Sequence, residues 1–314
     1  MGRESAPAVG PAIALLVTVA VFGLTTNTFL DVDTLSLVVQ QSLVIGTLAL
    51  GQTLVVLTAG IDLANAAIMV FATLLTANLA LTGTPGPLAL LVGVLAAVVL
   101  GGVTGGLVTG LRLPPFIVTL GLLAIMTAIS GIYAQGQGFP VTDEALGWLG
   151  TTKYLFGRVE VTYGMAVMLA MYLGVWFALS RTAWGRHVHA VGDAPEAARR
   201  SGISVRRTVL SAYLVAGLIY GVAAWQALGR VPTADENAFP LGNLDSIAAV
   251  VIGGASLFGG RGSVVGTLLG ALVVAALRSG LSQVGLDSLY GDVAVGVLVI
   301  VAVAADRTTR ETRR

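Results

Sequence analysis

The side chains best suited to covalent or metal chemistry are scarce in this sequence. The single lysine, Lys153, is not part of a G-x-x-x-x-G-K-[ST] motif, so no loop is predicted to cradle the phosphates of ATP. The two histidines, His187 and His189, have no third ligand nearby, and we interpret them as solvated loop residues. Cysteine is absent, which excludes disulfides and thiolate metal sites. We therefore expect no catalytic residue, no metal site, no bound cofactor and no enzymatic activity of the chain's own.

Arginine is concentrated in one polar stretch, residues 181–207, which we call the arginine-rich loop. Its only acidic residues are Asp193 and Glu196, set against six arginines: Arg181, Arg186, Arg199, Arg200, Arg206 and Arg207. Short loops with an excess of Lys and Arg remain in the cytoplasm. The loop is therefore predicted to be a cytoplasmic docking site for a soluble partner. Transport is the leading hypothesis for the function of the chain.

The rest of the chain has the composition of a membrane protein. Of 314 residues, 56% are hydrophobic and 11% charged, whereas a soluble domain carries roughly 25% charged residues. A helical span needs about 20 apolar residues. The sequence predicts an all-α polytopic membrane protein, one domain over 1–314, with about ten transmembrane helices near 12–30, 36–59, 62–81, 88–110, 116–134, 163–180, 208–228, 244–258, 263–284 and 289–305.

The distribution of charge predicts the orientation of these spans. With the arginine-rich loop inside, thirteen of the 17 basic residues lie on the cytoplasmic side, including Arg3, Arg112, Arg261, Arg307, Arg310, Arg313 and Arg314. Lys153, Arg158 and Arg230 lie outside, and Arg278 is expected to snorkel from its span to the outer interface. We interpret the N-terminus as the first span, so both termini are predicted to be cytoplasmic.

The first of two predicted helix breaks is Thr58–Asn65, which contains Gly60, Asp62 and Asn65 between apolar runs. A carboxylate at a helix centre costs about 2.5–3.5 kcal/mol. Asp62 either caps the next helix or contacts a substrate, and we favour the cap. Asn65 could line a pathway or bond to neighbouring backbone.

The second break is Ile252–Ser263, which follows a short apolar segment. Each glycine lowers helix stability by about 1 kcal/mol, and irregular backbone at membrane depth is tolerated only beside protein or a water-filled cavity. Interrupted helices are therefore candidates for the transport pathway. The glycines in question are Gly253, Gly254, Gly259 and Gly260.

Other patterns predict packing and surface. Glycines four residues apart favour close helix contact, and two such faces are Gly262, Gly266, Gly270 and Gly102, Gly106, Gly110. On the outer side we interpret four aromatic residues as an interfacial belt: Trp148, Tyr154, Phe156 and Tyr163. The polar residues nearby are solvated or form a docking surface for an external protein: Asp235, Glu236, Asn237 and Asp245.

Four motifs together resemble the ribose-type (monosaccharide class) permeases of bacterial ABC importers: GIDLA at 60–64, LPPFIVTLG at 113–121, GRHVHAVGDAPEAARRSGI at 185–203 and LDSIAAVVIGGASLFGGRGSVVGT at 244–267. The resemblance implies the type II importer fold with broken helices, located in the bacterial inner membrane. It also implies a second permease copy, cytoplasmic ABC ATPases that bind ATP and magnesium, and a periplasmic or lipid-anchored solute-binding protein. Membrane lipid, but no nucleic acid, completes the expected partners.

In this resemblance, residues 185–203 correspond to the cytoplasmic coupling segment that docks on the ATPase. The residues carried over are Gly192, Glu196, Ala197, Ala198 and Gly202. Pro195 suits a first helical turn and Gly202 a C′ position with positive φ, so a short helix is predicted from about Pro195 to Ser201.

The solute stays open at this point. A monosaccharide is the first hypothesis, and an autoinducer, a polyol or a nucleoside moved by the same machine is the second. An ion-coupled secondary transporter is the third, disfavoured because intramembrane ionisable residues are scarce.

Overall fold

The structure is a computed structural model that describes residues 8–155 and 159–311. Several residues used above lie outside that part of the chain: Arg3, Phe156, Arg158, Arg313 and Arg314. The long helices, in chain order, are α1 (Val9–Thr25), α2 (Val32–Leu57), α3 (Asn65–Leu81), α4 (Gly86–Gly110), α5 (Pro115–Ala134), α7 (Tyr163–Arg181), α8 (Ala183–Asp193), α10 (Val205–Arg230), α11 (Gly242–Ile252), α12 (Val264–Gln283) and α13 (Ser288–Glu311); the short ones are α6 (Glu144–Gly147) and α9 (Pro195–Arg200).

Six of these helices are long and apolar enough to cross a membrane: α2, α4, α5, α7, α10 and α12. Shorter apolar helices occur at α1, α3, α11 and the first part of α13. The predicted all-α membrane architecture is therefore confirmed, while the number of ten spans stays a prediction.

Helix starts follow from local sequence. Pro114 and Pro115 begin α5, where the missing N–H of proline costs nothing. Thr182 caps α8 by accepting a hydrogen bond from the Gly185 N–H, and Ser263 caps α12 in the same way. Such hydroxyls satisfy N–H groups that a helix start leaves without partners.

Helices α2 and α10 form the centre of the bundle, and α10 packs most extensively against α4 and α2. A Cβ added to Gly101 of α4 would lie 2.5 Å from the Tyr213 carbonyl, and one added to Gly217 of α10 would lie 2.5 Å from the Ala97 carbonyl. These glycines allow the backbones of α4 and α10 to approach closely.

The predicted glycine face of α4 was wrong by one residue. A Cβ on Gly106 would meet no atom within 4 Å, and one on Gly110 would meet only the Arg206 guanidinium at 4.0 Å. Gly102 would meet only a Leu214 side chain, because α4 turns Gly101 and Gly105 toward α10. The corresponding prediction for α12 is confirmed for two of its three glycines. A Cβ on Gly270 would lie 2.0 Å from the Ala249 carbonyl of α11, and one on Gly266 would lie 2.1 Å from the Gly253 carbonyl. Gly262 precedes α12 and lies in the second break, so it is not on the same helix face.

The structure corrects the expectations for Arg278 and Asp245. The Arg278 guanidinium donates to Asp245 of α11 at 2.7 Å and to Asp292 of α13 at 2.8 Å. Asp245 is buried, with 7% of the residue exposed, so it is neither solvated nor part of a docking surface. Arg278 does not simply snorkel, because these two carboxylates hold its charge between α11, α12 and α13.

The segments between α5 and α7 and between α10 and α11 contain small strands that the sequence analysis did not predict. β1 (Phe139–Pro140) pairs with β4 (Thr233–Ala234), and β2 (Thr152–Leu155) pairs with β3 (Val159–Thr162), both antiparallel. The Trp148 ring stacks on Tyr163 at 4.6 Å and on Trp225 at 5.9 Å between centroids. Trp148 thus packs within the protein as well as facing outward, and the interfacial belt stays a prediction.

Candidate functional site

The arginine-rich loop is mostly helical, which the sequence analysis anticipated only for its second half. Helix α8 occupies Ala183–Asp193 and turns Val188 and Val191 into the protein, where both are fully or almost fully buried. Gly185 permits this packing, since a Cβ there would lie 2.1 Å from the Leu179 carbonyl of α7. The apolar positions of α8 recur at helical spacing, a signal that could have revealed the helix.

Helix α9 agrees with the short helix predicted for the coupling segment. Pro195 is its first residue, and Gly202 has φ of +83° just beyond its end. The Ile203 N–H donates to the Ala198 carbonyl and the Gly202 N–H to the Arg199 carbonyl, both at 3.0 Å. This pair of bonds is a Schellman motif, which fixes where the helix ends and where the chain leaves it.

The predicted coupling residues divide into a surface set and a buried set. Glu196, Ala197 and Gly202 are exposed, whereas Ala198 is 4% exposed and Gly192 is buried. Glu196 pairs with Arg199 at 2.5 Å, but both side chains are 69% exposed. A surface pair of this kind contributes about 0–1 kcal/mol and can exchange for a partner's charges. The structure therefore presents a rigid, charged helix face to solvent.

In the first break, Asp62 lies at the centre of a buried polar network. It is 0% exposed, and its carboxylate accepts hydrogen bonds from the Ala64 N–H at 2.9 Å and the Tyr220 hydroxyl at 3.1 Å. The Gln52 side-chain amide, oriented by its partners, donates to the Asp62 carbonyl at 3.0 Å. Asp62 stabilises the turn that leads into α3, but it is not the N-cap, because that position is Ala64.

Asn65 joins the first break to α11. It is 0% exposed, and its amide nitrogen donates to the Ser246 hydroxyl at 2.7 Å. Asn243 of α11 donates to the Leu63 carbonyl at 3.2 Å, and Thr119 of α5 donates to the Ile61 carbonyl at 2.9 Å. Side chains from neighbouring helices thus satisfy the irregular backbone, as required at membrane depth. Gly60 lies beside them, where a Cβ would be 3.1 Å from the Tyr213 hydroxyl.

The second break is a series of turns between α11 and α12. Gly254, Gly259 and Gly260 have φ of +82°, +87° and +73°, values that L side chains rarely adopt. Gly253 has an ordinary φ, but a Cβ there would lie 2.6 Å from the Gly266 carbonyl of α12. The four predicted glycines are therefore required either by backbone conformation or by close approach.

One further contact links α8 to this break. The His189 Nδ1 atom lies 3.1 Å from the Gly260 carbonyl oxygen, and His189 is half-buried. The prediction that both histidines are solvated loop residues was wrong for His189, because α8 turns it toward the second break. His187 is exposed. In the part of the chain that the structure describes, no three His, Cys, Asp or Glu residues are grouped to hold a metal ion.

Comparison with known proteins identifies the chain's family. The profile of the family described as "Branched-chain amino acid transport system / permease component" matches residues 34–303. The chain belongs to this family. Among individual relatives of the permease, the fructose import permease protein of Rhizobium meliloti is 39% identical over 98% of this chain and 87% of its own length.

Ribose import permease proteins are also similar to the permease. The Bacillus subtilis protein is 34% identical over 95% of this chain and 92% of its own length. The Escherichia coli K12 protein is 32% identical over 94% of this chain and 92% of its own length. No solved structure matches the permease. The resemblance to ribose-type permeases is confirmed. Because six helices in its described part are long and apolar enough to cross a membrane, the permease is a multi-pass membrane protein.

Proposed function

We propose that this chain is the membrane-spanning subunit of an ATP-driven importer for a monosaccharide. The names of its relatives support this assignment, since they are fructose and ribose import permeases that align over almost the whole chain. A D-allose transport system permease protein of Escherichia coli K12 is 32% identical over 95% of this chain. These four relatives are named for three different sugars, so an uptake assay must identify the sugar that this permease transports.

The observation that carries the proposal is the exposed helix α9. Pro195 at its start and the Schellman motif at Gly202 hold it in one conformation, and Glu196, Arg199 and Arg200 face solvent. A preorganised helix loses little entropy on docking. It suits a groove on a cytoplasmic ATPase, which would hold ATP and magnesium, since no P-loop occurs in this sequence.

The remaining partners follow from the same assignment. A second copy of this permease, or a related one, pairs with it, and a periplasmic or lipid-anchored binding protein delivers the sugar. Ten spans with both termini in the cytoplasm are supported by the six long and four shorter apolar helices and by the inward bias of arginine. The two breaks supply candidate pathway residues. These residues contact the sugar or transmit movement between helices, and they carry out no covalent chemistry.

The test is reconstitution of the complete importer in liposomes with its ATPase and binding protein. We expect ATP-dependent uptake of one sugar from a panel of fructose, ribose and allose. Glu196→Arg and Gly202→Pro are expected to abolish uptake while the permease still inserts. Glu144→Arg, an equivalent charge reversal at an exposed residue of the outer helix α6, is the control and should transport normally.

Two results would contradict the proposal. Normal uptake by both the Glu196 and Gly202 variants would remove the coupling role of α9. Sugar transport by the purified chain alone, driven by an ion gradient, would instead establish a secondary transporter.

A further inference from the structure

Three separate parts of the chain, two of which include the helix breaks, are in contact with one another. They are the end of α8, the end of α2 with the first break, and the second break. We call this contact the backbone junction and define it by its residues: Leu57, Ala59, His189, Gly192, Gly259 and Gly260. It connects the coupling segment to both candidate pathway elements within a few ångströms.

Backbone atoms make most of the contact at this junction. A Cβ on Gly192 would lie 1.8 Å from the Leu57 carbonyl oxygen and 2.6 Å from the Gly260 nitrogen. A Cβ on Gly259 would lie 2.7 Å from the Gly192 carbonyl oxygen and 2.6 Å from the Ala59 Cβ. Because no flexible side chain separates these backbones, a displacement of one cannot be absorbed by a rotamer change and must move the others.

Hydrogen bonds of the Gly260 backbone join the second break to both α2 and α8. The Gly260 N–H donates to the Leu57 carbonyl at 3.0 Å, using a carbonyl that the end of α2 leaves without a helical partner. The Gly260 carbonyl is 3.1 Å from His189 Nδ1. Since a carbonyl oxygen only accepts, the Nδ1 atom carries the hydrogen in this contact. Gly260 is therefore bonded on one side to the last residue of α2, directly before the first break, and on the other side to α8.

The link from α9 to the junction is short and stiff. Only Ala194 separates the end of α8 at Asp193 from the start of α9 at Pro195. The Asp193 Cα is itself in close contact with Gly260, where an added Cβ would lie 2.8 Å away. A movement of α9 is thus passed to the last turn of α8 without a flexible linker.

We propose that His189 and Gly192 are positioning residues that transmit movement of α9 to both helix breaks through the backbone junction. The inference rests on the proposed function, since it requires an ATPase that moves α9. It differs from a purely structural role for the two residues, in which their loss would lower the amount or the stability of the importer. Transmission predicts instead that ATP hydrolysis continues while sugar transport per ATP falls.

The first experiment uses His189 in the complete importer in liposomes, with basal ATP hydrolysis and sugar uptake measured on the same preparation. Loss of one hydrogen bond in His189→Ala is expected to lower sugar transported per ATP about three- to ten-fold. Basal hydrolysis should stay within about two-fold of wild type. His189→Asn, whose amide nitrogen can take the place of Nδ1, should restore most of the ratio. His187→Ala removes an exposed imidazole outside the junction and should keep the wild-type ratio.

A second experiment tests the backbone contact with Gly192→Ala. The matched control is Gly174→Ala in α7, where an added Cβ meets no atom within 4 Å. Gly192→Ala should uncouple hydrolysis from uptake, and Gly174→Ala should not. If Gly192→Ala fails to insert, the close contact itself is supported, and the His189 variants decide whether it transmits movement.

Two outcomes would overturn the inference. One is a wild-type ratio of uptake to hydrolysis in His189→Ala. The other is a parallel loss of uptake and basal hydrolysis that His189→Asn does not rescue, which is the signature of a structural role. Failure of the proposed function is distinguishable, because the wild-type permease would then show no ATP-dependent uptake at all.

Discussion

The ion-paired Arg278 gives a prediction whose size can be worked out from the structure. Its guanidinium bridges Asp245 at 2.7 Å and Asp292 at 2.8 Å, so it holds α11 and α13 against α12. In Arg278→Met the volume is largely kept, but both carboxylates lose their cation. The Asp245 side chain, only 11% exposed, is left without a compensating charge.

The magnitude follows from burial. Breaking a buried ion pair by removing one partner costs about 3–5 kcal/mol. The side chains of Arg278 and Asp292 are 29% and 31% exposed, so water screens part of the effect. We therefore expect the lower end, about 3 kcal/mol, and at about 2 °C per kcal/mol a fall in Tm of roughly 6 °C.

The assay is thermal unfolding of the purified protein in lipid-supplemented detergent, followed by tryptophan fluorescence. Arg206→Met, at an exposed position of α10, is the control and should change Tm by less than about 1 °C. Asp245→Asn combined with Arg278→Met removes the uncompensated charge and should recover at least half of the loss. The reasoning is refuted if Arg278→Met melts like Arg206→Met, or if the double variant is no more stable than Arg278→Met alone.

Three further predictions concern packing and turns. Gly270→Leu should prevent close packing of α12 on α11 and lower the yield of folded protein, because an added Cβ lies 2.0 Å from a carbonyl of α11. Gly106→Ala is the control: its added Cβ meets no atom within 4 Å, so it should leave the yield unchanged or raise Tm. Tyr220→Phe removes the hydroxyl that donates to Asp62 and should destabilise the protein by about 1.5–3 kcal/mol, read as a lower Tm; an unchanged Tm would mean that this bond adds nothing. Gly202→Val forces a β-branched residue to φ of +83° and should accelerate hydrogen exchange in α9 while leaving exchange in α12 as it was.

Local chemistry explains what the sequence could predict. The start of α9 at Pro195, the positive φ at Gly202 and the positions of both breaks depend on proline and glycine, whose backbone preferences act within a few residues. The overall membrane architecture follows from the length of apolar runs in the same way. These features need no knowledge of which helices are neighbours.

Features that depend on neighbours were missed. Helix α4 is apolar on every side, so nothing in its sequence shows that Gly101 rather than Gly102 faces α10. The partners of Arg278 could have been sought, because an arginine within a span calls for a counter-ion. Asp245 and Asp292 lie on different helices, however, and only the fold brings them together. The same holds for His189 and Gly260, which are 71 residues apart in sequence.

The most direct test of the account is the side of the membrane on which α9 lies. The chain has no cysteine, so single cysteines can be introduced without background. Ala197→Cys places one on the exposed face of α9, and Tyr154→Cys places one on the outer hairpin, where Tyr154 is 65% exposed. With a membrane-impermeant maleimide on intact cells, we expect Tyr154→Cys to be labelled and Ala197→Cys to be labelled only after the inner membrane is opened. Labelling of Ala197→Cys in intact cells would place α9 on the outer side of the membrane and contradict the account.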